Sequence, residues 1–509
     1  MIFGKKPEWH ILASKAWRLF LLFFAVIMVS SCLKEDPIST DPSLRLEFSN
    51  DTVIFDTVFT SLGSITRTLM VYNNSNKRVR IANISLGRGG SSPFRMNVDG
   101  IPGLNVHDIE IAARDSIFVF VKATIDPRNE SNPFVEEDDL IFNLNGNEQQ
   151  VKLVAWGQDA HYILADQQVA GFPKFRIVAD SNQTVIWTAG KPYVIYGYAL
   201  IDSYGTLIIE EGTRVHFHDK SGLWAYVDGV LKVRGSRENP VIFQGDRLDL
   251  DYRHIPGQWD RIWLMEGRQG FNHEIDYAII RNGFIGLQVE SFLRPTQNQL
   301  TLTNTIIENH TGIGIFTRLF AVEATNLVVA NCGNYGVALT GGGAYRFRHT
   351  TLANNWTLGV RNTPSLFFTN FLPDSLNRPF PIPLNMEWGN SIIYGSAEEE
   401  IGKELVAGAD STYIFDHCLL RTKRPTTNQT NYINIIRNQD PKFKDYPKFD
   451  YRLDTLSPAI GKGKIAIGQA IPFDIAGNSR LPVPDLGAYQ FVPSEGNRRK
   501  ETFINRFHR

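Results

Sequence analysis

The chain has few cysteines, almost no net charge and no long hydrophobic run. Its 509 residues include three cysteines, and 52 basic residues nearly balance 53 acidic ones, giving a formal net charge of −1. A secreted disulfide scaffold would carry many more cysteines, and a nucleic-acid-binding chain would carry an excess of basic residues. We therefore expect neither a disulfide framework nor a nucleic-acid partner. Cys332 and Cys418 are expected to be buried thiols.

Sequence motifs for common catalytic sites are also absent. The chain has no Gly-X-Ser-X-Gly elbow, no His-Glu-X-X-His zinc motif and no glycine loop followed by the lysine that phosphate binding needs. His216 and His218 alternate along one predicted strand, but no third metal ligand lies near them in the sequence. We expect an exposed histidine pair there, and we predict no metal and no cofactor.

The longest apolar run, residues 19–29, is too short to span a bilayer, which takes roughly 20 apolar residues. It follows Lys15 and Arg18 and precedes Ser30 and Ser31. A basic lead, a short apolar core and small residues before a cleavage point are typical of a secretory signal peptide. Residues 1–31 are therefore predicted to be the signal peptide of an exported protein.

Cys32 follows the two serines directly, and this arrangement resembles the lipobox of bacterial lipoproteins. The resemblance implies that Cys32 carries lipid, palmitate included, and holds the chain on a bilayer. Residues 33–36, Leu-Lys-Glu-Asp, resemble the lysine and acidic patch that sends lipoproteins of the Bacteroidota to the outer face of the outer membrane. Residues 32–45 would then be a polar tether. The alternative is a signal peptide followed by an incidental cysteine.

Residues 46–160 show short runs in which apolar and polar residues alternate. Turn-forming clusters such as Asn73-Asn74-Ser75-Asn76 separate these runs. Such alternation predicts strands with one buried face, and several of them in succession predict a β-sandwich. Their order resembles the immunoglobulin-like modules of secreted bacterial proteins. We therefore predict an N-terminal immunoglobulin-like β-sandwich.

From about residue 175 the chain repeats a unit of roughly two dozen residues. An apolar run followed by asparagine recurs at Asn282, Asn309, Asn331 and Asn354, which are 27, 22 and 23 residues apart, and a glycine with another apolar residue follows each copy. Repeats of this length indicate a solenoid. One coil of a parallel β-helix needs short stacked strands joined by turns, in which asparagine tolerates the left-handed conformation and can stack its amide on a neighbour.

The opening and closing segments resemble right-handed parallel β-helix proteins of the pectate-lyase-like group. Residues 206–217, 227–235 and 239–243 resemble their opening coils, and residues 440–443, 457–460 and 485–489 resemble their closing segment. We therefore predict an all-β chain with a right-handed parallel β-helix over residues 175–491, including a C-terminal capping segment. Residues 492–509 are a basic tail. The dense coil pattern that pectate lyases use with calcium is missing, so the resemblance implies the fold without the activity.

The densest polar cluster of the chain covers residues 246–254, and tryptophans and charged residues follow it. The predicted carbohydrate-binding residues are Asp249, Asp251, Arg253, Trp259 and Asp260. Carboxylates, an arginine and an aromatic face can bind a sugar, paired carboxylates can cleave a glycosidic bond, and carboxylate oxygens can hold calcium. The alternative is a solvated loop whose aspartates and arginines pair with one another.

Three functions remain open. The first is a surface-anchored lipoprotein whose β-helix binds an extracellular polysaccharide or glycoprotein without catalysis. The second is a polysaccharide lyase or glycoside hydrolase, which needs two carboxylates, or a carboxylate and a base, converging in one groove. The third is a structural scaffold of the envelope, which would have a grooveless surface. The sequence identifies no catalytic residue.

Overall fold

The computed structural model describes residues 37–292 and 299–493. The predicted signal peptide, Cys32 and nearly all of the basic tail lie outside these residues. Contacts divide the described chain into two units, one of residues 37–126 and 134–157 and one of residues 127–133 and 158–493. Within the described residues, no helix is long and apolar enough to cross a bilayer.

The first unit is a sandwich of two five-stranded antiparallel sheets. One sheet has the order β1-β3-β8-β5-β6 and the other the order β2-β10-β9-β4-β7. The strands are β1 (Glu47–Phe48), β2 (Thr52–Phe59), β3 (Arg67–Tyr72), β4 (Val79–Leu86), β5 (Phe94–Val98), β6 (Ile101–Gly103), β7 (Asn105–Ile111), β8 (Ser116–Ala123), β9 (Phe134–Leu144) and β10 (Asn147–Gln158). In β8 the buried residues Ile117, Val119 and Val121 alternate with more exposed ones, as one buried face per strand requires. The predicted β-sandwich is confirmed.

The second unit is a solenoid of short parallel strands. Its coil strands, in chain order, are β11 (His161–Leu164), β12 (Phe175–Ala179), β13 (Thr184–Trp187), β14 (Tyr193–Tyr196), β15 (Tyr198–Ile201), β16 (Thr206–Glu210), β17 (Arg214–Phe217), β18 (Gly222–Ala225), β19 (Val230–Arg234), β20 (Val241–Gly245), β21 (Ile262–Met265), β22 (His273–Asp276), β23 (Ala278–Arg281), β24 (Ile285–Glu290), β25 (Gln299–Thr303), β26 (Ile306–His310), β27 (Ile313–Thr325), β28 (Val328–Cys332), β29 (Val337–Arg348), β30 (Thr351–Asn354), β31 (Leu366–Thr369), β32 (Phe371–Pro373), β33 (Pro379–Pro381), β34 (Leu384–Gly389), β35 (Ile392–Gly395), β36 (Ile401–Glu404), β37 (Ser411–Asp416), β38 (Leu419–Leu420), β39 (Tyr432–Ile433) and β40 (Ile436–Arg437). Among them β32 and β33 form a separate antiparallel pair.

These strands stack into three parallel ladders. Ladder A runs β12-β15-β18-β21-β24-β27-β29-β31-β36. Ladder B runs β13-β16-β19-β22-β25-β27-β29-β34-β37-β39. Ladder C is an 11-stranded sheet, β11-β14-β17-β20-β23-β26-β28-β30-β35-β38-β40. The long strands β27 and β29 belong to both A and B, which therefore form one 17-stranded sheet. The predicted fold class, a β-sandwich followed by a parallel β-helix, is confirmed.

Columns of apolar side chains fill the inside of the solenoid. In ladder A the register partners Leu223, Ile262, Leu287, Ile315 and Val337 lie directly above one another and are fully buried. Because the side-chain period of a strand is two, the neighbouring residue in each of these strands points outward. The coil register therefore decides which side chains reach the surface.

A ladder of asparagine side chains stacks at the corner between ladders C and A. Asn282, Asn309 and Asn331 have positive φ angles of 66°, 61° and 50°. Asn309 Nδ2 donates to Asn282 Oδ1 at 2.7 Å, and Asn331 Nδ2 donates to Asn309 Oδ1 at 2.8 Å. The predicted stacking of amides is thus confirmed for these three. Asn354 differs, because its Oδ1 accepts the backbone N–H of Cys332.

A second stack of polar corner residues joins ladder B to ladder C. Its members all have φ between 46° and 53°: Tyr277, Asn304, Asn326, His349, Asn390, His417 and Asn434. Asn326 Nδ2 donates to Asn304 Oδ1 at 2.9 Å, and Asn390 Nδ2 lies 3.2 Å from His349 Nε2. Both corners therefore combine a left-handed residue with a side-chain hydrogen bond to the next coil.

The chain after the last coil packs against the side of ladder C. It contains β41 (Phe443–Asp445), β42 (Asp450–Leu453) and a six-residue helix, α1 (Ile465–Ala470). Tyr451 packs against Val328 and Ala353, and the backbone N–H of Ala488 donates to Thr351 Oγ1 at 2.9 Å. This segment was expected to cap the end of the solenoid. Its contacts cover outward apolar side chains of ladder C from the middle coils, at Val328 and Ala353, to the last strands, at Leu419 and Ile436, and these side chains would otherwise face water.

The two described cysteines are buried free thiols, as expected. Burial raises the pKa of both Cys332 and Cys418 to about 12. A thiol with so high a pKa carries almost no thiolate at neutral pH, so neither cysteine is a reactive nucleophile.

The asparagine ladder generates a stability prediction. Asn309→Ala should lower the free energy of unfolding by about 2–4 kcal/mol, because alanine is strained in the left-handed region and the buried amide bonds are lost. The matched control is Asn182→Ala, since Asn182 also has φ near 60° but lies on an exposed turn. That variant should lose only about 1–2 kcal/mol. Urea unfolding followed by circular dichroism compares them, and equal losses would mean that the ladder adds no stability.

Candidate functional site

The corner asparagines hold the polar loop at residues 246–258 in place. Asn282 Nδ2 donates to the carbonyl oxygen of Arg253 at 2.8 Å, and Asn309 Nδ2 donates to that of His254 at 2.9 Å. The loop contains a short 3-10 turn at Leu250–Tyr252. Its backbone is therefore fixed to the neighbouring coils, although most of its residues are polar.

Two charged side chains of this loop, Arg247 and Asp249, pair with each other. Arg247 Nε donates to Asp249 Oδ2 at 3.2 Å, and the guanidinium of Arg247 lies 3.7 Å from the centre of the Tyr252 ring. Asp251 is exposed, whereas Asp249 and Arg253 are half-buried. Within the described residues, no group of three metal-ligating side chains occurs here or elsewhere. The arrangement favours the alternative of a loop whose aspartate and arginine pair with each other.

Trp259 is a core residue, so its prediction as a sugar-binding side chain is wrong. It is 1% exposed, and its ring stacks on Phe217 with 4.5 Å between centroids. Its Nε1 donates to the carbonyl oxygen of Arg281 at 2.8 Å. The side chain points into the solenoid at the start of a new coil. A sugar cannot reach it without unfolding that coil.

Asp260, the next residue, belongs to a different environment on the outer face of ladder A. The Tyr198 hydroxyl and the Arg261 guanidinium both donate to its carboxylate. Burial, together with the neighbouring Asp260 carboxylate, raises the pKa of Tyr198 far above its usual value. Tyr198 therefore stays protonated and remains a hydrogen-bond donor to Asp260.

Aromatic and polar side chains form a row along this outer face. Trp224, Trp263, Gln288 and Phe316 are register partners in consecutive coils. The rings of Trp224 and Trp263 stack at 4.9 Å with an interplanar angle of 10°. Trp224 is buried beneath Phe172, whereas Trp263, Gln288 and Phe316 are partly exposed. The row thus offers accessible aromatic area from Trp263 onward.

A hydrogen-bonded chain of polar side chains runs beside the row. Arg261 donates to Gln288, and Gln288 Nε2 donates to Glu290 Oε1 at 2.7 Å. Trp263 Nε1 also donates to Glu290 Oε1 at 2.7 Å, and Arg318 Nη2 lies 3.1 Å from Glu290 Oε2. We call this region the ladder A surface. It consists of Tyr198, Asp260, Arg261, Trp263, Gln288, Glu290, Phe316 and Arg318.

The two carboxylates of the ladder A surface are separated along the strands. Glu290 is the register partner of Met265, which follows Asp260 by five residues. The Asp260 and Glu290 carboxylates are linked through the intervening side chains of Arg261 and Gln288. Asp260 and Glu290 are also each paired with an arginine, so their geometry suits binding better than acid/base chemistry.

Of the two histidines predicted to be exposed, His216 is buried inside the solenoid and His218 lies at its surface. His216 is buried, its Nδ1 lies 3.0 Å from the carbonyl oxygen of Gly245, and burial lowers its pKa to about 4. His218 is more exposed and stacks on Tyr196 at 4.3 Å, with its Nδ1 2.7 Å from Asp246. The expectation was therefore wrong for His216. A neutral, buried imidazole is a packing residue here.

Most residues of the ladder A surface were not predicted from the sequence. The prediction included Asp260 but named Trp259 where the accessible ring is Trp263. One signal was present, since Gln288 and Phe316 each follow the glycine and apolar residue that come after the repeated asparagine. The residue after that inward apolar position must face outward.

No family model matches the chain, and no curated protein matches it. Several solved structures are similar to it at low sequence identity. The structure of XylC with xylose aligns with 90% of this chain over 91% of its own length, at 8% identity and a TM-score of 0.36. The catalytic unit of the GH87 α-1,3-glucanase from Streptomyces thermodiastaticus aligns with 72% of this chain over 66% of its own length, at 13% identity and a TM-score of 0.25. PapD-like domain 7 of human CEP192 aligns with 25% of this chain over 95% of its own length, at 13% identity and a TM-score of 0.17. At these TM-scores the likenesses carry no argument about what the chain binds.

Proposed function

We propose that this protein is an outer-membrane lipoprotein, anchored through Cys32 and facing the cell exterior, whose ladder A surface binds an extracellular glycan without cleaving it. The observation that carries the binding proposal is the continuous polar chain from Tyr198 to Arg318 beside the accessible rings of Trp263 and Phe316. The ligand class is a polysaccharide or the glycan of a glycoprotein.

The chemistry of this surface fits a sugar chain. Sugar rings have C–H faces that pack on aromatic rings, and hydroxyls that both donate and accept hydrogen bonds. Trp263 and Phe316 offer the apolar faces, while Gln288 and the arginines are planar polar groups already held in position. Successive coils repeat about every 4.8 Å, so the row runs across several coils and suits an extended ligand better than a compact metabolite.

Catalysis is the second candidate and has weaker support. A lyase or glycosidase would use Asp260 or Glu290, the carboxylates of the surface. Their separation along the strands and their pairing with Arg261 and Arg318 oppose a shared proton-transfer role. A purely structural scaffold would leave the half-exposed Trp263 and the polar chain beside it without a role.

The membrane proposal rests on the sequence features before residue 37. These are the basic lead, the short apolar core, the two serines before Cys32 and the acidic patch after it. In chain order, an immunoglobulin-like module would then stand between the anchor and the β-helix. Glycans outside the cell would be within reach of a protein held there.

The glycan proposal predicts loss of binding from surface variants. On a glycan array, the full chain in detergent should bind at least one glycan, and Trp263→Ala or Phe316→Ala should weaken that binding by roughly 30-fold, as for central aromatic residues of an interface. The control is Phe380→Ala, because Phe380 is 64% exposed and lies on β33, outside the ladders. It should bind like the wild type. Circular dichroism confirms that each variant is folded.

Two outcomes would contradict the proposal. The first is a specific glycan that folded Trp263→Ala and Phe316→Ala variants bind as tightly as the wild type does. The second is shortening of the bound glycan during incubation with the wild type, measured by size-exclusion chromatography. Shortening that Glu290→Gln or Asp260→Asn abolishes would establish the catalytic alternative instead.

The anchor proposal predicts lipid labelling at one residue. Cells fed radiolabelled palmitate should incorporate label into the wild-type chain, and Cys32→Ser should abolish it, because the thiol is the attachment point. Cys418→Ser is the matched control, since that thiol is buried and should not affect labelling. Proteinase added to intact cells should degrade the chain. Undiminished label in Cys32→Ser, or full protection from proteinase, would refute anchoring or surface exposure respectively.

A further inference from the structure

A cavity of about 470 Å³ lies at the corner between ladders C and A. Its size falls within the ~300–1,000 Å³ of typical small-molecule sites. Three segments build its walls, namely the loop at residues 246–258, the loop after β30 and the turn between β41 and β42. The lining residues are His254, Asn309, Asn331, Asn355, Thr357, Leu358, Tyr446, Pro447, Lys448, Phe449 and Tyr451.

The walls of this cavity are preformed. Asn309 fixes the backbone of His254, and the His254 ring stacks on Phe449 with 5.5 Å between centroids. The backbone of Phe449 adopts the left-handed conformation, with φ of 60°, and its N–H donates to the carbonyl oxygen of Tyr446 at 3.0 Å. The asparagine ladder therefore orders both sides of the cavity. A ligand would need little rearrangement to enter.

Several polar groups at the cavity have no protein partner within the described residues. Tyr451 is 3% exposed, yet its hydroxyl makes no hydrogen bond there. The side chains of Asn355 and Thr357 make none either, and Asn331 Oδ1 accepts none. These groups are therefore available to a bound molecule.

The charge of the lining selects a neutral ligand. Among the described residues, no aspartate or glutamate lines the cavity, and Lys448 Nζ is paired with Asp445 at 2.8 Å. Burial lowers the pKa of His254, which keeps its ring uncharged at neutral pH. An anion would need donors only and a metal ion acceptors only. The unpaired hydroxyls and amides instead both donate and accept, as sugar hydroxyls do.

We propose that this cavity binds one neutral sugar residue, with Tyr451, Asn355, Thr357 and Asn331 bonding its hydroxyls. Tyr446 and Leu358 form the apolar rim, being 44% and 64% exposed. This site is separate from the ladder A surface and does not depend on the function proposed for it. The chain would then hold a single sugar ring in a pocket as well as an extended glycan on a strand face.

Saturation-transfer difference NMR tests this with the full chain and glucose, galactose or mannose at millimolar concentration. At least one hexose should give a signal, and Tyr451→Phe and Asn355→Ala should each weaken its binding about fivefold or more through loss of a ligand hydrogen bond. The control is Tyr204→Phe, because Tyr204 is 43% exposed on a turn away from the lining. It should bind like the wild type, and thermal unfolding checks the fold of each variant.

The outcomes separate this site from the ladder A surface. A hexose signal that Tyr451→Phe weakens and Trp263→Ala leaves unchanged supports the cavity. A signal that Trp263→Ala abolishes and Tyr451→Phe leaves unchanged overturns the cavity proposal and leaves the glycan proposal standing. Absence of any hexose signal overturns it as well. Thermal stabilisation by sulfate that requires Lys448, without a hexose signal, would show an anion site instead.

Discussion

The second unit depends on one constraint, the stacking of parallel coils in register with left-handed residues at most turns of two of its corners. Such a corner turns the chain from one sheet into the next within a few residues, but its left-handed conformation is costly for most side chains. Asparagine and histidine tolerate it here and bond to the coil below, as in the pairs Asn309–Asn282 and Asn390–His349. With the corners fixed, neighbouring strands of a ladder pair in register over most of their length. Inward apolar columns and outward rows follow from that register.

Both proposed binding regions derive from these corners. The row from Trp263 to Phe316 exists because equivalent outward positions of neighbouring coils coincide. The cavity exists because Asn309 uses its amide N–H groups to hold the loop at residues 246–258 as well as the adjacent coil. The same hydrogen bonds that stabilise the solenoid thus position its surface loops. Substitutions in the asparagine ladder should therefore affect binding as well as stability.

The repeat and the fold class could be predicted from the sequence because asparagine recurs at nearly constant spacing after apolar runs. The second corner stack was not visible, since tyrosine and histidine replace asparagine in it and a loop and a hairpin enlarge one coil. Trp259 was predicted to be accessible to a sugar, and this prediction was wrong for a related reason. A strand shifted by one residue turns every side chain to the other face, and the polar loop before Trp259 hides where the strand begins. The Tyr198 partner of Asp260 could not be predicted either, because it lies in another coil.

The central claim is that a glycan lies across the coils on the outer face of ladder A. Hydrogen–deuterium exchange of the full chain, with and without a saturating glycan that it binds, tests this most directly. The account predicts slower exchange in peptides covering β21, β24 and β27, and unchanged exchange in β17 and β20 of ladder C. Protection at saturation that is confined to ladder C, or to the β-sandwich, would contradict it.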